Sequence, residues 1–274
     1  MKEITCGKIV ASAQELCIRA ATTLTPDIAL ALECAYETES SDESRTVIAE
    51  MVKNLKNAAY HKSPVCPNIS EIVIFADVGQ NLHITDGLLE NAVRSGVLQG
   101  LQSLYPEVPS TVYPFKSERG DDLSVHIRLT SGDKLSLTVA LFPEGYSFMK
   151  VFPVSALQEE VEAFLLDAVR HAGKDLCPPL IIGAGLGGTT EMAGILAKRA
   201  LIRPVDLGNP DAFYARMERR TLNKINNVHL GTLSLGGKNT ALSVNLETFP
   251  VSSSMLPCVV CISSHAVRHA ECAL

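Results

Sequence analysis

Three kinds of residue in this sequence have the types and spacing to do chemistry: thiols, a glycine-rich run, and a group of cations and imidazoles near the C-terminus. Cysteines stand at positions 6, 17, 34, 66, 177, 258, 261 and 272. With no export signal in view, such a set argues for free thiols or metal ligands and against a disulfide framework. Cys258-Val259-Val260-Cys261 has C-x-x-C spacing, but no second pair of ligands accompanies it, and the two valines read as core strand. Cys17, in Ala13-Gln14-Glu15-Leu16-Cys17-Ile18, reads as a small hydrophobe on the apolar side of a helix. The run Gly183-Ala184-Gly185-Leu186-Gly187-Gly188 fits G-x-G-x-x-G after a strand and before a helix, with Asp206 eighteen residues beyond. That is a dinucleotide fingerprint, in which glycines let the backbone approach a pyrophosphate and a helix N-terminus offers free N–H groups. The other reading is a turn that packs tightly or meets a smaller anion. Lys238, after two glycines, has the form of a point charge for a carboxylate or of a solvated turn lysine. His265, Arg268 and His269 either orient a pocket or are satisfied structural polar groups.

The elements that must position these residues follow from periodicity. The first third reads as helices over residues 9–22, 26–37 and 42–60, with Thr25 as N-cap and Pro26 at the first helical position of the second. Ile72 to Phe75 reads as a strand, 86–103 as a helix, and 124–129 and 134–142 as a pair of strands joined by Thr130-Ser131-Gly132-Asp133. A helix over 155–172, a strand over 180–183, the glycine turn and a helix to residue 201 come next. The charged helical stretch 211–226 and strands over 241–248 and 258–263 complete the pattern. The fold class is mixed α/β: an N-terminal helical layer packed on a mixed sheet with further helices. The division expected is a single domain over 1–274, with 1–62 as the helical layer and 63–274 as the α/β body.

Composition excludes several classes. With 46% hydrophobic and 20% charged residues the chain is globular, large enough for one or two cores, and not disordered. Its longest apolar stretches fall short of the roughly 20 residues of a membrane-spanning helix. The start Met1-Lys2-Glu3-Ile4-Thr5-Cys6 lacks the pattern of an export signal, so a cytoplasmic location is expected. A net charge of −6 with interspersed signs gives no basic stripe for nucleic acid.

Four ordered blocks then carry a resemblance. They are Asp77-Val78-Gly79-Gln80-Asn81-Leu82-His83-Ile84, Cys177 to Thr189 followed by Ala197 to Pro204, Leu235 to Leu242, and Ser264 to Glu271. Together they resemble the alpha chain of the iron–sulfur class I fumarate hydratases and L(+)-tartrate dehydratases over essentially the whole sequence. The resemblance implies a hydro-lyase that adds or removes water on a small hydroxy-dicarboxylate. In that family three cysteines from separate segments hold a [4Fe–4S] cluster whose open iron acts as a Lewis acid, and a base takes the neighbouring proton. It also implies a beta chain as partner, self-association as a homodimer or within a heterotetramer, and convergence of the three ligand positions.

Position by position the match is uneven. Cys66 and Cys177 occupy the first two cysteine positions, and Ser264 stands at the third. A serine oxygen is a hard ligand where the cluster needs a soft thiolate. Cys261 is no ready substitute, because alternation on a strand would turn it away from Ser264. Around Cys66 the family's Cys-Gln-Asp-Thr-Gly becomes Cys66-Pro67-Asn68-Ile69-Ser70, and a family histidine twelve residues before the third cysteine corresponds to Ser252. The family's glycine loop corresponds to a stretch near Phe142 to Ser147, and its arginine segment to the altered region Lys116 to Asp122. The expectation is an incomplete cluster site with Cys66 and Cys177 as metal ligands and Lys238, His265 and Arg268 as substrate-binding candidates. Three functions follow: a hydro-lyase with altered or lost activity, a non-catalytic paralogue serving subunit association or small-carboxylate binding, and a dinucleotide binder using Gly183 to Gly188.

Overall fold

A computed structural model describes residues 2–105, 111–112, 119–120, 123–173, 175–252 and 254–274. In chain order the elements are β1 (Lys2–Thr5), α1 (Cys6–Thr22), α2 (Pro26–Thr38), α3 (Asp42–His61), β2 (Glu71–Gly79), β3 (Leu82–Thr85), α4 (Leu89–Leu104), β4 (Thr111–Val112), β5 (Arg119–Gly120), β6 (Ser124–Thr130), β7 (Leu135–Phe142) and β8 (Gly145–Pro153). They continue with α5 (Gln158–Ala172), β9 (Leu180–Gly187), α6 (Thr190–Leu201), α7 (Ala212–Asn226), β10 (Ala241–Phe249), β11 (Met255–Ser264) and β12 (Arg268–Ala273). Helices and mixed sheets make this an α/β fold, as the sequence leads one to expect. The chain forms two compact units, one of residues 1–24, 56–143 and 268–274, the other of residues 25–55 and 144–267.

The first unit is built on a four-stranded sheet in the order β12-β7-β2-β6. The strands expected over 124–129 and 134–142 are present as β6 and β7, joined through Thr130 to Asp133. β6 does not pair with β7; β2 lies between them, parallel to β6 and antiparallel to β7. The Thr130 to Asp133 turn bonds instead to the end of β2, where Gln80 N–H donates to the Thr130 carbonyl and Asn81 N–H to that of Gly132. A turn signal therefore marks a chain reversal without naming the strand beside it. α1 buries Ile9, Ala13, Leu16, Cys17 and Ala20, a stripe of helical period, and packs with α4 through Val93, Val97 and Leu101 over Ile74, Leu137, Val139 and Leu141 of the sheet. Burial pushes the Cys17 thiol up to about 12, with the Arg268 charge pulling part of the way back, so Cys17 is the inert core residue its context suggests.

The second unit carries the sheet β10-β9-β11-β8, with β10 parallel to β9 and both β9 and β8 antiparallel to β11. Every residue of β9 is buried. Leu180, Ile182, Ala184 and Leu186 join Val244, Leu246, Val260 and Ile262 in a core that includes Val161, Leu165 and Val169 of α5 and Met217 and Ile225 of α7. The other face of β9 lies against α6. Two internal carboxylates fix the helices: Glu162 of α5 meets Arg220 and Lys224 of α7, and Glu218 accepts from Arg203, the Leu246 N–H and the Asn209 N–H. Such paired buried charges are costly to break, since removing one partner strands the other.

Candidate functional site

The glycine run is not a phosphate turn set beyond a strand; its first five residues continue β9. The Cβ that an alanine would add at Gly183 would lie 2.4 Å from the Ala197 carbonyl oxygen, and at Gly185 2.0 Å from that of Ala193. The glycines are there because the α6 backbone rests directly on the strand. Only Gly187 and Gly188, with φ of +89° and +67°, form the turn into α6, whose first N–H groups are capped by the Thr189 hydroxyl accepting from Met192 N–H at 3.3 Å. Asp206 follows the far end of α6, a 12-residue helix about 18 Å long, and no second strand begins before β10. The geometry of a ribose-binding acid is therefore missing, and the dinucleotide reading loses its support.

At the opposite end of β9 two of the three implied ligand positions come together. Ser264 pairs with Leu180 at the last rung of the β11–β9 ladder, and His265 N–H extends it by donating to the Pro179 carbonyl at 2.9 Å. Cys177 is exposed and precedes a cis Pro178-Pro179 bond. Its backbone carbonyl accepts from the His265 ring, whose Nδ1 is sealed from solvent without a partner. Burial dominates, so the imidazole is pushed down to about 4 despite that carbonyl and is neutral at physiological pH. The Ser264 hydroxyl, 6% exposed, accepts from Ala266 N–H at 3.3 Å and closes the end of the strand. Cys261 pairs with Gly183, so it lies on the sheet face opposite Ser264, and its thiol touches the Ser147 hydroxyl at 3.3 Å. Cys258 is fully buried and pushed up to about 12 by that burial. The C-x-x-C pair is core, divided between two faces of one strand.

Cys66 belongs to the first unit, in the segment between α3 and β2, and is half-buried. Arg268, a substrate candidate by sequence, has 0% exposure. Its Nη1 donates to the Cys66 carbonyl at 2.7 Å and to the Tyr105 hydroxyl at 3.3 Å, and its Nη2 donates to the Asn68 carbonyl at 2.5 Å. Its fork holds backbone. Lys238 is exposed, and what its block fixes is again the main chain: Glu39, 2% exposed, accepts from the Lys238 N–H at 2.8 Å, the Asn239 N–H at 3.2 Å and the Asn239 side-chain amide at 3.0 Å. Burial would raise the Glu39 carboxyl, but these donors with the Ser40 and Ser41 N–H groups outweigh it and bring it down to about 2. Sequence reasoning missed Glu39 and Tyr105. Ser252, at the implied histidine position, is exposed and lines a pocket of about 380 Å³ with Gly188, Thr189, Met192, Phe249, Pro250 and Val251. The region expected to match the family's arginine segment, 116–122, lies outside the described residues except for Arg119 and Gly120, which form β5.

These residues do not fit a three-thiolate cluster. The third position offers a hydroxyl already used as a backbone acceptor, and a hard neutral oxygen is a poor ligand for iron–sulfur chemistry. Among the described residues no three His, Cys, Asp or Glu side chains are grouped to hold a metal ion.

A comparison with protein families matches residues 10–273 to fumarate hydratase (Fumerase). The chain is 31% identical over 268 residues to a putative L(+)-tartrate dehydratase subunit alpha of Methanocaldococcus jannaschii, covering 93% of this chain and 94% of that protein. It is 23% identical over 235 residues to the L(+)-tartrate dehydratase subunit alpha of Escherichia coli O157:H7, covering 83% of this chain and 78% of the relative. The chain therefore belongs to the fumarate hydratase (Fumerase) family, as an alpha-chain member. No helix among the described residues is long and apolar enough to cross a membrane.

Proposed function

We propose that this protein is a hydro-lyase-family alpha chain whose own cluster position no longer supports three-thiolate ligation, kept for association with a beta chain and for binding a small hydroxy-dicarboxylate. The reading places it in the cytoplasm, in a homodimer or a heterotetramer. The observation that carries it is the Ser264 hydroxyl, engaged with Ala266 N–H where the family resemblance calls for a thiolate. Two further positions support the reading: Asn68 carries an amide and Ser252 a hydroxyl where the family resemblance implies a carboxylate and an imidazole. General acid–base groups are typically worth about 10²- to 10⁴-fold in rate, so their loss with a ligand leaves little turnover. Lys238 remains as an exposed ammonium on a main chain fixed by Glu39, suited to meet a substrate carboxylate. His265, neutral near pH 7, has a single ring N–H and commits it to the Cys177 carbonyl, so it orients that segment and does not serve as a general acid.

The test is anaerobic purification followed by iron and sulfide determination, alone and with a cognate beta chain. The expected result is iron far below the stoichiometry of a [4Fe–4S] cluster and negligible fumarate or tartrate dehydration, with small dicarboxylates still shifting the melting temperature through Lys238. Close to four irons per chain by cluster stoichiometry, or turnover restored by the beta chain without mutation, overturns the reading. Ser264→Cys should raise iron retention.

A further inference from the structure

We infer that Arg268 is a positioning residue: it locks the Cys66–Asn68 segment in one conformation and thereby fixes where the Cys66 thiol is presented. The proposal uses residues of the first unit alone. The segment from Ser63 to Ser70 contains Pro64 and Pro67, which have no backbone N–H, so it has fewer donors with which to build turn bonds of its own. Its flanks are tied down, with Val65 N–H donating to the Ala21 carbonyl and Ser70 N–H to that of Phe142, each at 2.9 Å. Val65 and Ile69 are buried, at 7% and 9% exposure. Between those anchors, the carbonyls of Cys66 and Asn68 turn to one guanidinium, at 2.7 and 2.5 Å. The Tyr105 hydroxyl, itself bonded to Arg268, donates to the Cys66 carbonyl at 3.3 Å.

The arrangement needs an arginine. Two carbonyls two residues apart are met by the two ends of a rigid planar fork, whereas an ammonium is a single point that reaches one of them well. Fully buried, with both terminal nitrogens occupied, the guanidinium is placed to hold chain and not to receive a ligand. The consequence is dynamic: local opening of the segment, which would expose the Cys66 thiol more fully, is suppressed by bonds that must all break together.

The test reads alkylation of Cys66 by peptide-resolved mass spectrometry, with exposed Cys177 as the reference thiol in the same molecules. Losing two bonds to a charged donor should raise the Cys66 rate at least about tenfold in Arg268→Met while the Cys177 rate stays the same. Arg268→Lys, which keeps the charge and one contact, should restore part of the protection. Where Arg268→Met fails to fold, Tyr105→Phe decides: it removes the bridging hydroxyl and should raise Cys66 labelling by a smaller factor of a few-fold. A folded Arg268→Met with unchanged Cys66 labelling overturns the proposal, as does Tyr105→Phe without effect when it is the only folded variant. The significance of Cys66 rests on its reading as a family cysteine, but the labelling experiment involves no iron, so the clamp and the cluster reading fail separately.

Discussion

The two ends of β9 obey different constraints. At its C-terminal end, Gly183, Gly185 and Gly187 are dictated by backbone: any side chain would enter α6 or, at Gly187, lie 1.9 Å from the Phe249 carbonyl oxygen. At its N-terminal end, beside Ser264, His265 and Cys177, the residues are set by side-chain chemistry. There the Ser264 hydroxyl accepts from Ala266 N–H at the last rung of the ladder. The motif that looks most like a ligand site is thus the least free to change, for packing reasons. At the Ser264 end the requirement is a single side-chain acceptor for one N–H, a smaller demand than close backbone contact along the strand. A family signature dominated by glycines reports the scaffold.

The largest effect should come from forcing a side chain into the packed end. Gly185→Ala puts a Cβ 2.0 Å from a helix carbonyl and 2.8 Å from the Ala197 nitrogen, so neither β9 nor α6 can yield cheaply. The expected loss is at the upper end of overpacking costs, about 3 kcal/mol, read from the urea midpoint at constant slope. A variant of near wild-type stability would show that α6 does not rest on the strand as described.

The chemical end should reveal itself through pH. The His265 imidazole has its ordinary value near 6.5 when unfolded and about 4 when folded. Its folded-state value is depressed, so between these limits the unfolded chain binds more protons. The stabilisation is full above pH 6.5 and is lost progressively as pH falls to 4, for a total of up to roughly 3 kcal/mol. His265→Asn should flatten the stability profile over that window while leaving a separate, more acidic loss from Glu39. That carboxyl, lowered from 4.5 to about 2, gives up its contribution only as pH falls between those values. Parallel profiles for wild type and His265→Asn from pH 6.5 to 4 would remove the buried imidazole from the account.

Intermediate in size is the loop that carries Lys238. Gly237 has φ of +114°, and a Cβ there would sit 2.1 Å from Glu39 Oε1. Gly237→Ala should cost about 1–3 kcal/mol through strain and a displaced carboxylate, and should weaken any dicarboxylate-induced rise in melting temperature. Glu39→Gln shares the second effect with less of the first. If both variants keep ligand-induced stabilisation intact, Lys238 is a solvated turn lysine.

How much of this could be read in advance depends on the range of the interactions. Helices α1 to α7 were legible because an apolar stripe is local, as with Ile9, Ala13, Leu16 and Cys17 of α1, although Thr25, read as the N-cap of α2, makes no side-chain capping bond. β8 was not, because it is an edge strand whose residues are mostly exposed, and only its pairing with β11 defines it. β6, β7 and the turn that joins them were legible, but not the insertion of β2 between them in the sheet, since that strand lies far away in sequence. In the candidate site, the nearness of Cys177 to Ser264 came from family resemblance. The roles of Glu39 and Arg268 stayed hidden because their partners are 199 and 202 residues away and are backbone atoms, which leave no trace in residue type.

The smallest predicted effect is also the sharpest on whether the serine end is structural or chemical. Ser264→Ala removes one hydroxyl that accepts a single backbone N–H at 3.3 Å, a long bond to a neutral donor. Removing such a bond costs about 1 kcal/mol. Ser264→Cys should cost a similar amount in metal-free protein, because sulfur is a weak acceptor and no better partner for that N–H. The two variants should therefore match in urea without iron and diverge after anaerobic reconstitution, with only the cysteine form gaining stability from metal, as mass action requires of a ligand that binds the folded chain. Equal behaviour under both conditions would mean that the end of β11 is purely a strand terminus.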